Sequence, residues 1–323
     1  MPAAAHPRQE TSVPAAMPIA AYRNQIALDA PLPPVPTASA HEERTGLVRN
    51  ALRLLADDPA WARLGLRARD ADRVDDARAR RLLRAVLTVR DPGPLPEETT
   101  RALDALLAGE RLARPLTQAT QLPLLADEFR RTTYPAAGHT VLWQGDITTL
   151  GADAIVNAAN SALLGCFLPM HPCLDNAIHS AAGPRLREDC DTVMSLQGRP
   201  AEPTGTAKIT RGYHLPARYV LHTVGPVVDG PLHPEHEREL AASYRACLDL
   251  AAEVDHLRTI AFCGISTGVF GYPKAPAART ALDTVACWLE EHPGRLDRVI
   301  FNVYADDDRA AYLHALTEGT AAR

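Results

Sequence analysis

From about residue 138 to the C-terminus, short apolar runs alternate with longer segments whose apolar positions repeat at helical spacing. The short runs are rich in Val, Ile, Leu and Phe and are bounded by polar or glycine positions, which is typical of buried strands. They predict strands at 140–144, 153–157, 218–224, 258–263 and 298–303. The segments between them predict helices at 174–182, 236–254, 275–291 and 307–317. This alternation favours an α/β fold with a mainly parallel sheet that is covered on both faces.

A different pattern covers residues 41 to about 132. Leucines recur there at helical spacing, and Arg and Asp fill the polar positions. We therefore predict a helical N-terminal extension over 41–135, for which the residues indicate only a packing or docking role. Residues 1–40 are rich in Pro and Ala and lack periodicity, so we expect a disordered leader. The α/β domain would then occupy 138–320.

Composition narrows the classes of protein that fit this chain. Its 323 residues suggest about two domains. A net charge of −5 does not favour nucleic-acid binding, and no segment reaches the roughly 18 apolar residues of a membrane span. Six cysteines are spread without the spacing of a disulfide framework, and we find no secretory signal at the N-terminus. We therefore expect a cytoplasmic protein with no membrane or nucleic-acid partner.

Polar side chains follow the first two predicted strands. Asp146 comes just after 140–144, where a carboxylate can accept a hydrogen bond from an exocyclic amine such as that of adenine. A turn aspartate that caps the next segment is an equally good interpretation. Asn157 and Asn160 follow the second strand, where amides suit a sugar diol but are also common for structural reasons alone. Ligands of open α/β sheets bind at these carboxyl ends of strands.

A cluster of metal-type ligands follows these asparagines. Cys166, His171 and Cys173 could hold zinc and leave its fourth position open, although a pair of buried thiols beside a turn histidine fits the spacing equally well. Asp175 begins the next predicted helix, where the helix dipole favours a carboxylate and where it could also act as a general base or orient water. His179 lies one turn later, and we expect it to be a packed core histidine.

A glycine-rich loop follows the strand at 258–263. Residues 264–272 contain three glycines and two hydroxyl side chains, a composition that can form a backbone nest for a diphosphate. Phe270 and Tyr272 could flank a ribose or a base. Residues 203–210 predict a further loop and a short strand.

Together these motifs resemble the macrodomain family, over about residues 138–320. The motifs that carry the resemblance, in chain order, are Gly-Asp-Ile-Thr at 145–148, Asp-Ala-Ile-Val-Asn-Ala-Ala-Asn at 153–160, Asp-Asn-Ala-Ile-His-Ser-Ala-Ala-Gly at 175–183, Pro-Thr-Gly-Thr-Ala at 203–207, Val-Leu-His-Thr-Val-Gly-Pro at 220–226 and Gly-Ile-Ser-Thr-Gly-Val-Phe-Gly-Tyr-Pro at 264–273. The resemblance implies a three-layer α/β/α fold with a mixed, mostly parallel central sheet.

One segment departs from the commonest hydrolytic macrodomains. Those proteins have a glycine-rich run where this chain has residues 165–173, which contain the two cysteines and the histidine. In this respect the chain resembles the zinc-dependent subclass of microbial protein ADP-ribosyl hydrolases. The helical N-terminal extension of that subclass would also account for 41–132.

The resemblance implies roles for individual residues that bind ADP-ribose. Asp146 would bind the adenine amine, and Ile147 would pack at the base. Asn157 would contact and position the distal ribose, with Asn160 supporting the strand end or the sugar. The diphosphate and the distal ribose would be wrapped by Ser266, Thr267, Gly268, Val269 and Phe270.

The same resemblance implies the reacting groups. One zinc ion per chain would be held by Cys166, His171 and Cys173, and Asp175 would occupy the position of the catalytic carboxylate, with Asn157 beside it. The expected enzyme removes mono-ADP-ribose from modified protein side chains, to which it is linked as an ester of Asp or Glu. The alternatives are an O-acetyl-ADP-ribose deacetylase, a non-catalytic ADP-ribose-binding module and a structural-zinc module without a ligand.

The resemblance further suggests partners. They are an ADP-ribosylated protein substrate, ADP-ribose as product, a sirtuin-like ADP-ribosyl transferase and a lipoyl-carrier-type protein.

Overall fold

The computed structural model describes residues 17–32, 40–198 and 201–321. Its helices are α1 (His41–Leu54), α2 (Ala60–Arg63), α3 (Asp76–Val89), α4 (Glu97–Leu112), α5 (Leu125–Glu128), α6 (Leu174–Ala182), α7 (Pro184–Gln197), α8 (Pro234–Ala252), α9 (Lys274–Glu291) and α10 (Asp306–Ala321). Its strands are β1 (Thr117–Gln118), β2 (Thr140–Gln144), β3 (Leu150–Gly151), β4 (Ala154–Ala158), β5 (Ala207–Arg211), β6 (Tyr219–Thr223), β7 (Thr259–Phe262) and β8 (Arg298–Val303).

The central sheet has six strands in the order β2-β8-β7-β4-β6-β5. Only β5 runs antiparallel to its neighbour, so the expected mixed and mostly parallel α/β sheet is confirmed. Nearly every residue of β4, β6 and β7 is buried, because helices cover both faces of the sheet. The parallel strands end at a common edge, and the loops that carry the motifs leave from that edge.

The strands predicted from the apolar runs all occur, and two of them, 140–144 and 298–303, have the predicted bounds. The helix at 174–182 also has the predicted bounds. Helix α7 was not predicted. Its buried positions include Arg187 and Asp189 as well as apolar residues, so its sequence lacks a clean apolar stripe.

The helical extension has a hydrophobic core of its own. Leu52, Leu83 and Leu106, from α1, α3 and α4, are almost completely buried in it. The chain after α4 belongs to the other core, because Ala119 and Leu125 pack with the α/β domain. The helical unit therefore ends near residue 112 rather than at the expected residue 135.

Residues 17–32 differ from the expected disordered leader. Tyr22 is fully buried in the α/β core, and its hydroxyl oxygen accepts a hydrogen bond from the backbone N–H of Ile209 at 3.1 Å. Ile26 and Leu28 are buried in the same core. The rest of the predicted leader, residues 1–16 and 33–39, lies outside the described residues.

All six cysteines are free thiols, as their spacing predicted. Within the described part of the chain, no helix combines the length and the apolar character that a membrane crossing requires.

Candidate active site

The candidate site is built around a buried carboxylate at the start of α6. Asn157, near the end of β4, donates a hydrogen bond from Nδ2 to Asp175 Oδ1 at 2.8 Å. Asn160 Nδ2 lies 3.4 Å from Asp175 Oδ2 and also donates to the carbonyl oxygen of Gly165 at 3.0 Å. The backbone N–H of Ala162 donates to Asn160 Oδ1 at 3.0 Å. Both ends of the Asn160 amide therefore support the loop and the carboxylate.

The orientation of the Asn157 amide is fixed by His222 on β6, the strand beside β4. Asn157 Nδ2 lies 3.2 Å from His222 Nδ1, and His222 Nε2 lies 2.9 Å from Thr210 Oγ1. An amide nitrogen can only donate, so Nδ1 accepts and Nε2 carries the ring proton that is donated to Thr210. Asn157 itself is fully buried, and its Oδ1 has no hydrogen-bond partner among the described residues. The structure thus places Asn157 directly against Asp175, beneath the surface.

Burial controls the protonation of this cluster. It raises the pKa of Asp175, which is 6% exposed, to about 6, against the opposing effects of the Asn157 hydrogen bond and the Arg187 charge. Burial lowers the pKa of His222 to about 3 and that of His179 well below its usual range. Both imidazoles are therefore neutral near pH 7. His179 is buried as expected, with Nε2 3.5 Å from Asp175 Oδ1.

The metal-type residues predicted from the sequence do come together. The ligand atoms of Cys166, His171 and Cys173 all lie within 4.8 Å of one another. Asn176 holds the loop between them, since its Nδ2 donates to the carbonyl oxygens of Leu168 and His171, each at 3.1 Å. The chain reaches Cys173 just as α6 begins, and Cys173 Sγ accepts a hydrogen bond from the backbone N–H of Asn176 at 3.4 Å.

The chemistry of this donor set fits a zinc ion. Two thiols and one imidazole are common zinc ligands, and three protein ligands leave one tetrahedral position open. His171 Nδ1 is buried without a hydrogen-bond partner in the described chain, as a free ligand atom would be. Burial raises the pKa of Cys173 to about 11, so a metal would have to displace its proton.

A second cluster, His179, Cys190 and His222, also lies within 4.8 Å but is fully inside the protein. Both nitrogens of His222 already have hydrogen-bond partners, Asn157 on one side and Thr210 on the other. The contact that this cluster makes with Asn157 therefore comes from His222, whose two ring nitrogens are both engaged in hydrogen bonds.

Asp146, expected to bind adenine, acts as a cap in the structure. Its Oδ1 accepts hydrogen bonds from the N–H and the hydroxyl of Thr148, at 2.9 and 2.6 Å. Its Oδ2 accepts one from Arg114 Nη2 at 2.6 Å. The side chain of Asp146 remains 44% exposed, and the neighbouring Ile147 is buried in the core.

The glycine-rich loop follows β7 at the same edge of the sheet. Ser266 has a positive φ of 64° and is buried, whereas Val269 is strongly exposed. The three consecutive backbone N–H groups from Gly268 to Phe270 donate no hydrogen bond within the described residues, so they are available to an anion. Thr267 bends back, and its hydroxyl donates to the carbonyl oxygen of Gly264 at 3.1 Å. Tyr272 is buried in the core, so the expectation that it flanks a ligand is wrong.

Known proteins are similar to this chain in sequence and in fold. The Macro domain family model matches residues 156–281. A protein-ADP-ribose hydrolase of Treponema medium is 44% identical over 238 residues, which are 74% of this chain and 87% of that protein. A protein-ADP-ribose hydrolase of Staphylococcus aureus is 42% identical over 235 residues, 72% of this chain and 83% of that protein. The chain belongs to the macrodomain family.

Solved macrodomain structures support the same assignment. A Trypanosoma brucei macrodomain in complex with ADP-ribose has 34% identity and a TM-score of 0.54, over 71% of this chain and 93% of that one. An Oceanobacillus iheyensis macrodomain with ADP has 38% identity and a TM-score of 0.50, over 56% of this chain and 92% of that one.

Arg187 of this macrodomain was not recognised from the sequence. Its side chain is 7% exposed, and its Nε donates to the carbonyl oxygen of Leu164 at 2.7 Å, just before the metal-type loop. Its Nη1 donates to the carbonyl oxygens of Leu87 and Arg90 at the end of α3, at 3.0 and 2.6 Å. The guanidinium also lies 4.5 Å from the centre of the Phe167 ring. Arg187 thus joins the helical extension to the start of the loop that carries the metal-type residues, a link between distant segments that no local motif signals.

Proposed function

We propose that this macrodomain hydrolyses the bond that joins mono-ADP-ribose to a protein side chain, and that this bond is an ester of Asp or Glu. The observation that carries the proposal is the buried Asp175 carboxylate, held by Asn157 and placed two residues after Cys173. The named activity of the Treponema and Staphylococcus relatives supports the same reaction, since each matches more than 70% of the chain.

Asp175 would act as the general base. It accepts a proton from a water molecule while the water oxygen forms a bond to the anomeric carbon of the distal ribose. The bond from that carbon to the side-chain oxygen breaks, and the products are ADP-ribose and a free carboxylate. A pKa of about 6 leaves Asp175 mostly ionised near pH 7 and still basic enough to take a proton.

The histidines beside Asp175 favour an ester over an ether linkage. Burial keeps both His179 and His222 neutral, so neither would supply a proton to a leaving group. A carboxylate departs as a stable anion and needs no such acid, whereas the alkoxide of a serine would need one. The electrostatics of the site therefore suit the linkage to Asp or Glu.

The proposal includes one zinc ion, held by Cys166, His171 and Cys173. When bound there, zinc would polarise a ribose or ester oxygen or orient water, and two thiolate ligands would favour orientation over strong acidity. The remaining parts of ADP-ribose would contact residues of the sequence motifs. Asn160 orders the loop beside the sugar, and the free N–H groups at Gly268 to Phe270 would meet the diphosphate.

The test combines metal analysis with release of ADP-ribose from a protein modified on Asp or Glu. Wild type should contain about one zinc per chain and release ADP-ribose. Cys166→Ala should lose both the metal and turnover, and Asp175→Ala should lose turnover but keep the metal. Cys287→Ala, which removes an exposed thiol, is the matched control and should change neither.

Other results would assign a different activity. Binding of ADP-ribose without release from the protein would make the chain a reader. Cleavage of O-acetyl-ADP-ribose alone would make it a deacetylase, and full activity in a metal-free preparation would remove zinc from the mechanism. A sirtuin-like transferase and a lipoyl-carrier-type substrate remain predictions from the resemblance.

A further inference from the structure

The carboxylate of Asp146 is held in a closed ring of hydrogen bonds. Arg114 Nη2 donates to Asp146 Oδ2 at 2.6 Å and lies 3.0 Å from Thr148 Oγ1. The Thr148 hydroxyl donates in turn to Asp146 Oδ1 at 2.6 Å. Asp146 belongs to the loop after β2, whereas Arg114 comes from the end of the helical extension, 32 residues earlier in the chain.

The segment that carries Arg114 is fixed to this loop by a backbone ladder. Strand β1 pairs in parallel with β3, with Thr117 opposite Leu150 and Gln118 opposite Gly151. The ladder begins three residues after Arg114, and β3 begins four residues after Asp146. The ladder therefore fixes the backbone near Arg114 beside the Asp146 loop, while the guanidinium itself stays partly exposed.

We infer that Arg114 is a positioning residue for the recognition of adenine. The inference rests on the proposed function, in which the pocket binds ADP-ribose. An ionised carboxylate has about four lone-pair sites on its two oxygens. Thr148 occupies both sites of Oδ1, and Arg114 occupies one site of Oδ2. One lone-pair site of Oδ2 remains for the exocyclic amine of adenine. The ring of hydrogen bonds fixes the direction of this lone pair.

The exposure of the pair shows why its role is recognition and not stability. The side chains of Arg114 and Asp146 are 40% and 44% exposed, and pairs of this kind contribute little to the stability of a fold. A partly exposed carboxylate that is already oriented loses less freedom when it binds a ligand. Removing the Arg114 side chain should therefore weaken ligand binding and leave the fold intact.

The experiment compares two ligands by calorimetry on the full chain. One is ADP-ribose, and the other is its analogue with unsubstituted purine as the base, which lacks the exocyclic amine. Arg114→Gln should weaken the binding of ADP-ribose about fivefold and the binding of the purine analogue less than about twofold. Arg114→Lys should restore part of the affinity. Arg111→Gln, a change at an exposed arginine one turn earlier, is the control and should leave both affinities unchanged.

Two further measurements separate positioning from a general structural effect. In an Asp146→Asn background, Arg114→Gln should have no additional effect on ADP-ribose. In the hydrolysis assay, Arg114→Gln should raise KM and leave kcat unchanged, because adenine lies far from the bond that breaks.

The inference is overturned if Arg114→Gln weakens both ligands equally, or if it changes neither. It is also overturned if kcat falls while KM stays constant. Failure of the proposed function looks different, because wild type itself would then bind no ADP-ribose or release none from protein.

Discussion

The buried carboxylate of Asp175 is expected to lower the stability of the fold near neutral pH. The group is almost fully removed from water, and the Asn157 hydrogen bond offsets only part of the cost of burying its charge. Asp175→Asn keeps the shape of the side chain and removes the charge. This variant should therefore be inactive and, at alkaline pH, more stable than wild type.

The magnitude follows from the pKa of Asp175. Folding raises it from 3.8 to about 6, which corresponds to about 3 kcal/mol at most. Below the unfolded pKa both states hold the proton, so the charge costs nothing there. Between the two values the folded state binds more protons, and stability falls as pH rises. Above pH 6 the whole cost is present.

The assay is urea unfolding of metal-free wild type and Asp175→Asn between about pH 4 and pH 8. The variant should gain up to about 3 kcal/mol in unfolding free energy at pH 8, and the difference should vanish near pH 4. Asp29→Asn is a control with the opposite sign. Arg23 lowers the pKa of Asp29, so this variant should lose stability at pH 8 and match wild type only in acid.

Two results would refute this reasoning. Asp175→Asn could prove less stable than wild type at pH 8, or the difference between them could stay constant across the pH range. In either case the hydrogen bond from Asn157 would outweigh the burial of the charge.

Two other substitutions test the structure around the site. Glu202→Gln should cost about 3–5 kcal/mol in urea unfolding, because it removes the carboxylate of a buried ion pair in which Lys208 Nζ lies 2.6 Å from Glu202 Oε1. Removing the exposed Arg245 pair should cost under about 1 kcal/mol. Gly165→Ala should reduce metal content and turnover, because φ is +82° and the new Cβ would lie 2.9 Å from a buried imidazole carbon. Gly198→Ala, with φ +63° and open space around it, controls for backbone strain alone, and equal losses in both variants would exclude the contact as the cause.

Local patterns predicted most of the α/β fold. A buried strand such as 298–303 and a helix such as 174–182 are each defined by their own residues, so periodicity was sufficient to place them. Helix α7 could not be found in this way, because Arg187 is buried only through carbonyl groups that the helical extension and the Leu164 loop supply. Residues 17–32 were misjudged for a similar reason, since Tyr22 is buried against the α/β domain by residues far from it in sequence, such as Ile209.

In the candidate site, too, features set by neighbouring residues were predictable and features set by distant residues were not. Cys166, His171 and Cys173 are close in sequence, so their proximity in space was predictable. The depth of Asn157 and of Tyr272 was not, because burial depends on the elements that pack over a residue. Arg114 could not be assigned to Asp146, since the two residues are 32 positions apart and their segments meet through the pairing of β1 with β3.

The guanidinium of Arg187 has a consequence for how the gene for this chain can change. Its three carbonyl partners come from two separately packed units, so a chain that lost the first 90 or so residues would keep the cation in its interior without two of those partners. The hydrogen bond to Leu164, just before the loop that ends at Cys173, would then come from a less constrained guanidinium. We therefore expect recombination between the helical extension and the α/β domain to yield proteins in which the loop from Gly165 to Cys173 is less well ordered.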